Sequence, residues 1–228
     1  MARVPAQPRP SKPRAAKPEG VTPTREERKQ RTRAQLMAGA LELMGAGRGF
    51  PSLSLREVTR AAGVVPASFY RHFRDLDELG LALVEQSGAT LRRLLRDVRR
   101  DGVPPTDMLR KSVLIYKRHV EAHRLHFLFI AGERGGGSPT IRKAIRTEES
   151  HFAAEMAQDM RALGLMPSLS SDTLRMLCGL VVTTMINAAT EILDLPRTST
   201  RAEKELVDNF VRQLRLVFLG AAAWRERS

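Results

Sequence analysis

Residues 54–73, SLREVTRAAGVVPASFYRHF, decide the reading of this chain. Ser54-Leu55-Arg56-Glu57 has the form of a capping box, in which the hydroxyl accepts from the Glu57 backbone N–H and the carboxylate reaches back. Leu55, Val58, Ala61 and Ala62 make one apolar face, and Gly63 suits a left-handed position just past the helix end. Pro66 fits the first position of a second helix, where its missing N–H costs nothing. With 100° between successive residues of Pro66–Phe73, Phe69 and Phe73 point inward while Ala67, Ser68 and Arg71 point outward. Tyr70 and Arg74 flank one side of the outer face and His72 the other. Small residues let a backbone approach base edges, and Arg can donate twice to guanine. Tyr, His and Arg suit phosphates. The alternative is a short amphipathic helix with a solvated face. Two helices, a Gly-containing turn and outward Tyr-Arg-His favour helix-turn-helix docking on duplex DNA instead.

The charge distribution points the same way. Of a net +13, residues 1–75 carry 15 Lys+Arg against 6 Asp+Glu, whereas the remaining residues hold 23 against 19. A basic first third on a nearly balanced body implies a polyanionic partner, nucleic acid or anionic lipid; a solubilising excess is the plainer alternative. An architectural protein that coats DNA would spread its charge along the whole chain. Aromatics are 5% and alternating strand-like runs are absent, which predicts an all-α chain. Cys178 stands alone, so neither an internal disulfide nor a cysteine zinc cluster is expected, and a reducing cytoplasm fits. The longest uncharged run, Met176–Thr190, is short for a membrane span of about 20 residues. A soluble protein without a signal peptide is expected.

Outward from the central stretch, residues 1–23 form a basic Pro-rich tail, expected to be disordered or extended. Thr24-Arg25-Glu26-Glu27 is a second capping box, opening a helix with Leu36, Ala40, Leu43 and Met44 on one face. Asp75-Leu76-Asp77-Glu78 is a third. It starts a helix through Leu79, Leu83, Ser87, Leu91, Leu94 and Val98 to about Arg100, which at 1.5 Å per residue spans roughly 37 Å. That length suits a transmission element between two units. Gly102–Pro105 breaks the chain, and Thr106 restarts it through Leu109, Val113 and Tyr116.

His119, His123 and His126 share one face, but HVEAH is not the HExxH of metalloproteases and no cysteine accompanies it. No metal is expected. Gly135-Gly136-Gly137 has no strand before it and no Lys-Ser/Thr after it, which excludes a P-loop. Ser138-Pro139 opens a helix whose stripe is Ile141, Ile145, Phe152, Met156, Met160 and Leu163. With Leu114, Phe127, Phe129 and Ile130 this stripe can line a long apolar pocket, or serve only as core. Arg134 at the corner is a candidate partner for an anionic head group.

Ser170 or Ser171 caps a helix apolar on nearly all sides, and Thr200-Arg201-Ala202-Glu203 caps the last, bearing Val207, Phe210, Leu214, Phe218 and Trp224. Their excess apolar surface predicts a two-fold four-helix interface, hence a homodimer reading a palindrome. No Ser/His/Asp grouping, carboxylate pair or metal motif has meaningful spacing, so no catalytic residue and no cofactor is expected.

A basic first helix, LREVTRAAGV, a proline-led short helix, FYRHFRD and then DELG resemble the TetR family of bacterial repressors. The segment SLSLREVTRAAGVVPASFYRHFRDLDELGLALVEQSG is more narrowly similar to the FabR- and DesT-like regulators of unsaturated fatty acid synthesis. The specific match covers about 50 residues; Glu133-Arg134-Gly135, Arg142, Ala144 and His151-Phe152 extend it weakly. The resemblance implies a three-helix DNA-binding domain, residues 24–75, and a six-helix ligand-binding and dimerisation domain, residues 76–228. It implies DNA contacts at Ser54, Arg56, Val65, Ala67, Ser68, Tyr70, Arg71, His72 and Arg74, with Ala67, Ser68 and Arg71 reading bases. Val65 stands where many relatives place a Ser or Thr cap, so its operator preference is expected to differ. The effector pocket expected from the apolar stripes comprises Leu114, Phe127, Phe129, Ile130, Arg134, Phe152 and Met156, and the resemblance implies a fatty acid or acyl-CoA as its ligand and lipid genes as targets. A drug- or metabolite-sensing repressor of an efflux pump is the alternative.

Overall fold

The computed structural model describes residues 24–100, 105–196 and 199–225. The Pro-rich tail and most of the Gly102–Pro105 break lie outside them, as do the side chains of Leu91, Leu94 and Val98. The elements are α1 (Arg25–Gly45), a 3₁₀ turn (Phe50–Ser52), α2 (Leu55–Ala61), α3 (Pro66–Phe69), α4 (Leu76–Arg100), α5 (Pro105–Ala122), α6 (Arg124–Gly135), α7 (Pro139–Ala162), α8 (Ser171–Asp194) and α9 (Thr200–Ala222), with no strand among the described residues. The all-α fold matches the expectation.

Local chemistry starts most of these helices where the sequence places them. Glu27 N–H donates to Thr24 Oγ1 at 3.2 Å while Thr24 N–H donates to Glu27 Oε2 at 2.7 Å. Ser54 and Glu57 repeat the exchange at 3.3 and 2.9 Å. Before α4, Asp75 Oδ1 accepts from Glu78 N–H at 2.8 Å, but Glu78 reaches back to the N–H of Arg74, not of Asp75. Three expectations need correcting. Ser199, not Thr200, caps α9, accepting from Ala202 N–H at 3.2 Å. The Ser138 hydroxyl does not cap α7; it donates to Asp77 Oδ2 at 3.0 Å and ties the start of α7 to that of α4. Leu163, expected on the α7 stripe, is 44% exposed where that helix ends.

The helices enclose two apolar cores. In the body, Val120, Leu174, Leu177, Cys178, Val207 and Phe210 are buried between α5, α7, α8 and α9. The second core joins Leu36, Ala40, Val58, Phe69, Phe73, Leu79 and Leu83 from α1–α4. It is completed by Phe129 of α6 and by Ile141 and Ile145 of α7. Phe129 is fully buried, its ring edge-on to Phe50 with centroids 5.2 Å apart. The N-terminal helices therefore do not enclose their own core; two body helices fill its floor.

Two close approaches shape this region. A Cβ on Gly39 of α1 would lie 2.9 Å from the backbone nitrogen of Ala62, so α1 and the end of α2 touch through glycine. A Cβ on Gly80 of α4 would lie 2.5 Å from Ile141 Cδ1 and 3.1 Å from the Phe50 ring. α8 is apolar on most sides because α5, α6, α7 and α9 all pack on it.

Candidate DNA-reading face and candidate effector cavity

α2 and α3 meet through Gly63, whose φ of +67° is the left-handed turn that glycine adopts without steric cost. Arg48 fixes the start of α2, donating to Glu57 Oε1 at 2.9 Å and to the Ser52 carbonyl at 2.7 Å. These bonds from Arg48, then those from Ser54, hold the Glu57 carboxyl down to about 2. α3 is shorter than expected. Regular α-helix ends at Phe69, and winding continues to Phe73 through bonds such as Arg71 N–H to Ser68 O, 3.3 Å, and His72 N–H to Phe69 O, 2.8 Å. Arg71 and His72 thus sit on a tightened turn, while Phe69 and Phe73 stay buried as the phase required.

The outer side of this turn presents Val65 (65% exposed), Ala67, Tyr70 (66% exposed), Arg71 and Arg74, with Ser68 half-buried. Arg56 is exposed on α2. Arg74 is tied to Glu78 at 3.1 Å, an i,i+4 pair open to solvent and therefore weak. Ser54 is exposed, but its hydroxyl donates to Glu57 Oε2 at 2.7 Å and its N–H to the same oxygen. Both of its donors are committed inside the capping box. His72 is half-buried and its Nδ1 lacks a partner among the described residues. Burial, then the charges of Lys29, Arg33 and Arg71, lower its pKa, so the ring is neutral near pH 7.

Those charges reveal two residues outside the predicted set. Arg33 lies over the Phe73 ring, 5.1 Å from its centroid, and Lys29 stands one helical turn before it on α1. The sequence marked the start of α1 as basic without fixing which residues border the turn; only the placement of Arg33 over Phe73 does that.

In the body, a cavity of about 380 Å³ lies among α4–α9. Its wall is mostly aliphatic, aromatic and methionine side chains: Val84, Leu109, Tyr116, Phe127, Ile130, Ile145, Phe152, Met156, Met160, Met185 and Phe218. At one end Arg92 is paired with Glu148 and lies 3.8 Å from Glu155. Gly88 makes room for that pair, since its Cβ would lie 2.8 Å from Glu148 Oε2. A second cavity, about 460 Å³, adjoins the first and shares Tyr116, Phe127, Ile130, Glu149 and Ile186 with it. It adds Arg134, Arg146, Asn187 and Thr190, a more polar surface.

Four of the seven predicted pocket residues, Phe127, Ile130, Phe152 and Met156, line the first cavity, and Arg134 lines the second. Arg134 is already paired with Glu149 at 2.8 Å. Two residues lie elsewhere. Leu114 packs against the body core, and Phe129 belongs to the N-terminal core. The reason for the second is helical phase: two residues turn 200°, so Phe127 and Phe129 project from opposite sides of α6. Ile145 and Met160 of the predicted α7 stripe also line the first cavity, whereas Tyr116, Met185 and the Arg92–Glu148 pair were not predicted, because a helical stripe reads alike whether a neighbour or a cavity lies beyond it.

The histidine face is compact: His119 and His123 ring centroids are 4.4 Å apart, and His123 and His126 6.0 Å. Burial, then His123 and His126, lower the His119 pKa to about 4. No group of three or more His, Cys, Asp or Glu among the described residues is placed to hold a metal ion.

Residues 36–83 match the family model described as bacterial regulatory proteins, tetR family. Residues 105–213 match that described as tetracyclin repressor-like, C-terminal domain. Solved structures with the same fold include a putative TetR-family transcriptional regulator from Syntrophomonas wolfei (TM-score 0.69, 11% identity, 84% of this chain and 96% of that one). Another is the fatty acid degradation regulator FadR from Bacillus halodurans (TM-score 0.61, 14% identity, 86% and 97%). A third is AibR, solved with isovaleryl coenzyme A and operator DNA (TM-score 0.56, 17% identity, 81% and 97%).

Proposed function

The chain belongs to the TetR family of DNA-binding transcriptional regulators, and from that premise we propose that it is a homodimeric, cytoplasmic repressor whose operator affinity is set by an apolar effector. In this reading residues 24–75 are the DNA-binding head and 76–228 the effector-binding and dimerisation body. Arg71, with Ala67 and Ser68, reads bases in the major groove; Tyr70, His72, Arg74 and Arg56 contact phosphates, with Lys29 and Arg33 adding charge beside them. Ser54 joins them once its hydroxyl exchanges Glu57 for a phosphate oxygen. Val65, exposed and apolar, is available to a thymine methyl.

One observation carries the regulatory part. Val84 and Ile145 line the cavity and also belong to the N-terminal core, and Ile130 lines the cavity while packing against that core. A ligand that displaces these side chains alters the packing beneath α1–α4. It changes DNA affinity by the difference between its affinities for the two arrangements, and by no more.

An acyl chain is the effector class that the apolar wall suits best. The fatty acid degradation regulator and the isovaleryl coenzyme A complex among the structural neighbours supply a parallel for that class. The targets in this reading are lipid metabolism genes.

The deciding experiment titrates the purified protein against a fluorescent operator duplex with and without saturated and unsaturated acyl-CoA species. A shift in operator affinity with acyl chains supports the reading. No shift with any acyl chain, together with a shift on adding cationic drugs, would replace it with control of efflux.

A further inference from the structure

The two cavities meet at Tyr116. The residue is 2% exposed, and its hydroxyl has no partner among the described residues. A phenol taken out of water without a new hydrogen bond is costly, and nearly all buried hydroxyls in native proteins find a partner. Tyr116 lines both cavities, so a molecule lying across them is the partner its position leaves open.

The charges around it restrict what that molecule can be. Arg92, the cation on the first cavity, is engaged by Glu148 and Glu155. Arg134, on the second, is engaged by Glu149. Glu148 and Glu149 both face the first cavity. A carboxylate beside Tyr116 would find no unengaged cation on the wall of the first cavity, and its desolvation would go uncompensated. A neutral acceptor meets neither obstacle. Beyond Tyr116, Arg146 is exposed on the second cavity together with Arg134, a setting for a charged or polar far end.

We propose that Tyr116 donates its hydroxyl hydrogen to the neutral carbonyl of an elongated acyl ligand, an ester or thioester and not a free fatty acid. The chain fills the first cavity and the other end leaves through the second, past Arg134 and Arg146. This deepens the effector reading given above and rests on it.

The test measures displacement of the neutral dye Nile red from the full-length protein at neutral pH by three probes whose chains differ by no more than one atom in length: methyl decanoate, decanoate and undecane. On the native protein the ester binds about tenfold or more tighter than the carboxylate. Tyr116→Phe, which keeps ring and volume, weakens the ester by roughly 5- to 30-fold and leaves undecane unchanged. Its melting temperature stays at or above that of the native protein, because the unpartnered hydroxyl is gone. If Tyr116→Phe leaves the ester unaffected, weakens undecane equally, or if decanoate matches the ester, the assignment to Tyr116 is wrong while the effector cavity stands. If no probe displaces the dye, both fall.

Discussion

Arg71 combines two properties that the sequence and the fold supply separately. Phase along Pro66–Phe73 turns it outward, and the tightened turn after Phe69 places it beside the small side chains of Ala67 and Ser68. A bidentate contact to guanine is worth about 1–3 kcal/mol. Arg71→Ala should therefore weaken operator binding by that amount and flatten discrimination among base substitutions at one position. Unchanged preference across a panel of variant operators would remove Arg71 from the base-reading set. His119 gives a second prediction, concerning stability. Its pKa falls from an unfolded value near 6.5 to about 4 in the fold. The unfolded chain therefore binds the proton first as pH drops, and His119 withdraws stability between about 6.5 and 4. At 1.36 kcal/mol per unit, the loss is on the order of 2–3 kcal/mol. Urea melts of the native protein and of His119→Gln should diverge across that window and run parallel above it. Identical slopes would mean the ring stays solvated.

At the level of elements, glycines and one aromatic pair decide how the head is held. Gly39→Ala gains about 1 kcal/mol of helix propensity in α1. Its methyl group, however, meets the backbone of Ala62, which cannot move like a flexible side chain end. Overpacking of this kind costs about 1–3 kcal/mol, so the net effect should be destabilising, read as a lower urea midpoint. A raised midpoint would show that α1 and α2 pack more loosely than described. α6 matters for a different reason. It turns Phe127 to the cavity and Phe129 to the Phe50 ring, so one helix touches both the cavity wall and the N-terminal core. That placement was not legible in the run LHFLFIAGE, where both aromatics serve one apolar segment equally well. The capping boxes at Thr24–Glu27 and Ser54–Glu57 were legible, because a hydroxyl and a carboxylate three residues apart satisfy each other within one turn of chain.

For the whole molecule, the exposed apolar residues of α8 and α9 are the surface on which the proposed homodimer rests. Met176 and Leu180 stand one turn apart on α8, and Leu216 and Leu219 likewise on α9, each more than half exposed. If these faces form the proposed two-fold interface, Leu180→Glu with Leu216→Glu buries four charges around the axis. Sedimentation should then show monomers of undiminished helicity, and palindrome binding should fall by about 10²-fold as two linked contacts become one. A dimer that survives would place the interface elsewhere. The basic head adds a salt dependence: operator affinity should fall linearly on a log–log plot against salt, with a slope of about −0.9 per phosphate neutralised.

Sequence alone determined the helical class, the starts of α1, α2 and α4, and the outward face of residues 65–74. All of these depend on groups within a turn or two of each other, where spacing is geometry. It also marked residues 54–73 as the part proposed to meet DNA. What only the tertiary structure decided is which apolar stripes face a cavity and which face a neighbour. It is there that Phe129 leaves the pocket for the head, that Tyr116 and Arg92 enter it, and that the N-terminal core is seen to rest on α6 and α7. The physical reason is that burial rewards apolar surface alike against ligand, helix or partner subunit, so periodicity records that a face is covered and leaves open by what.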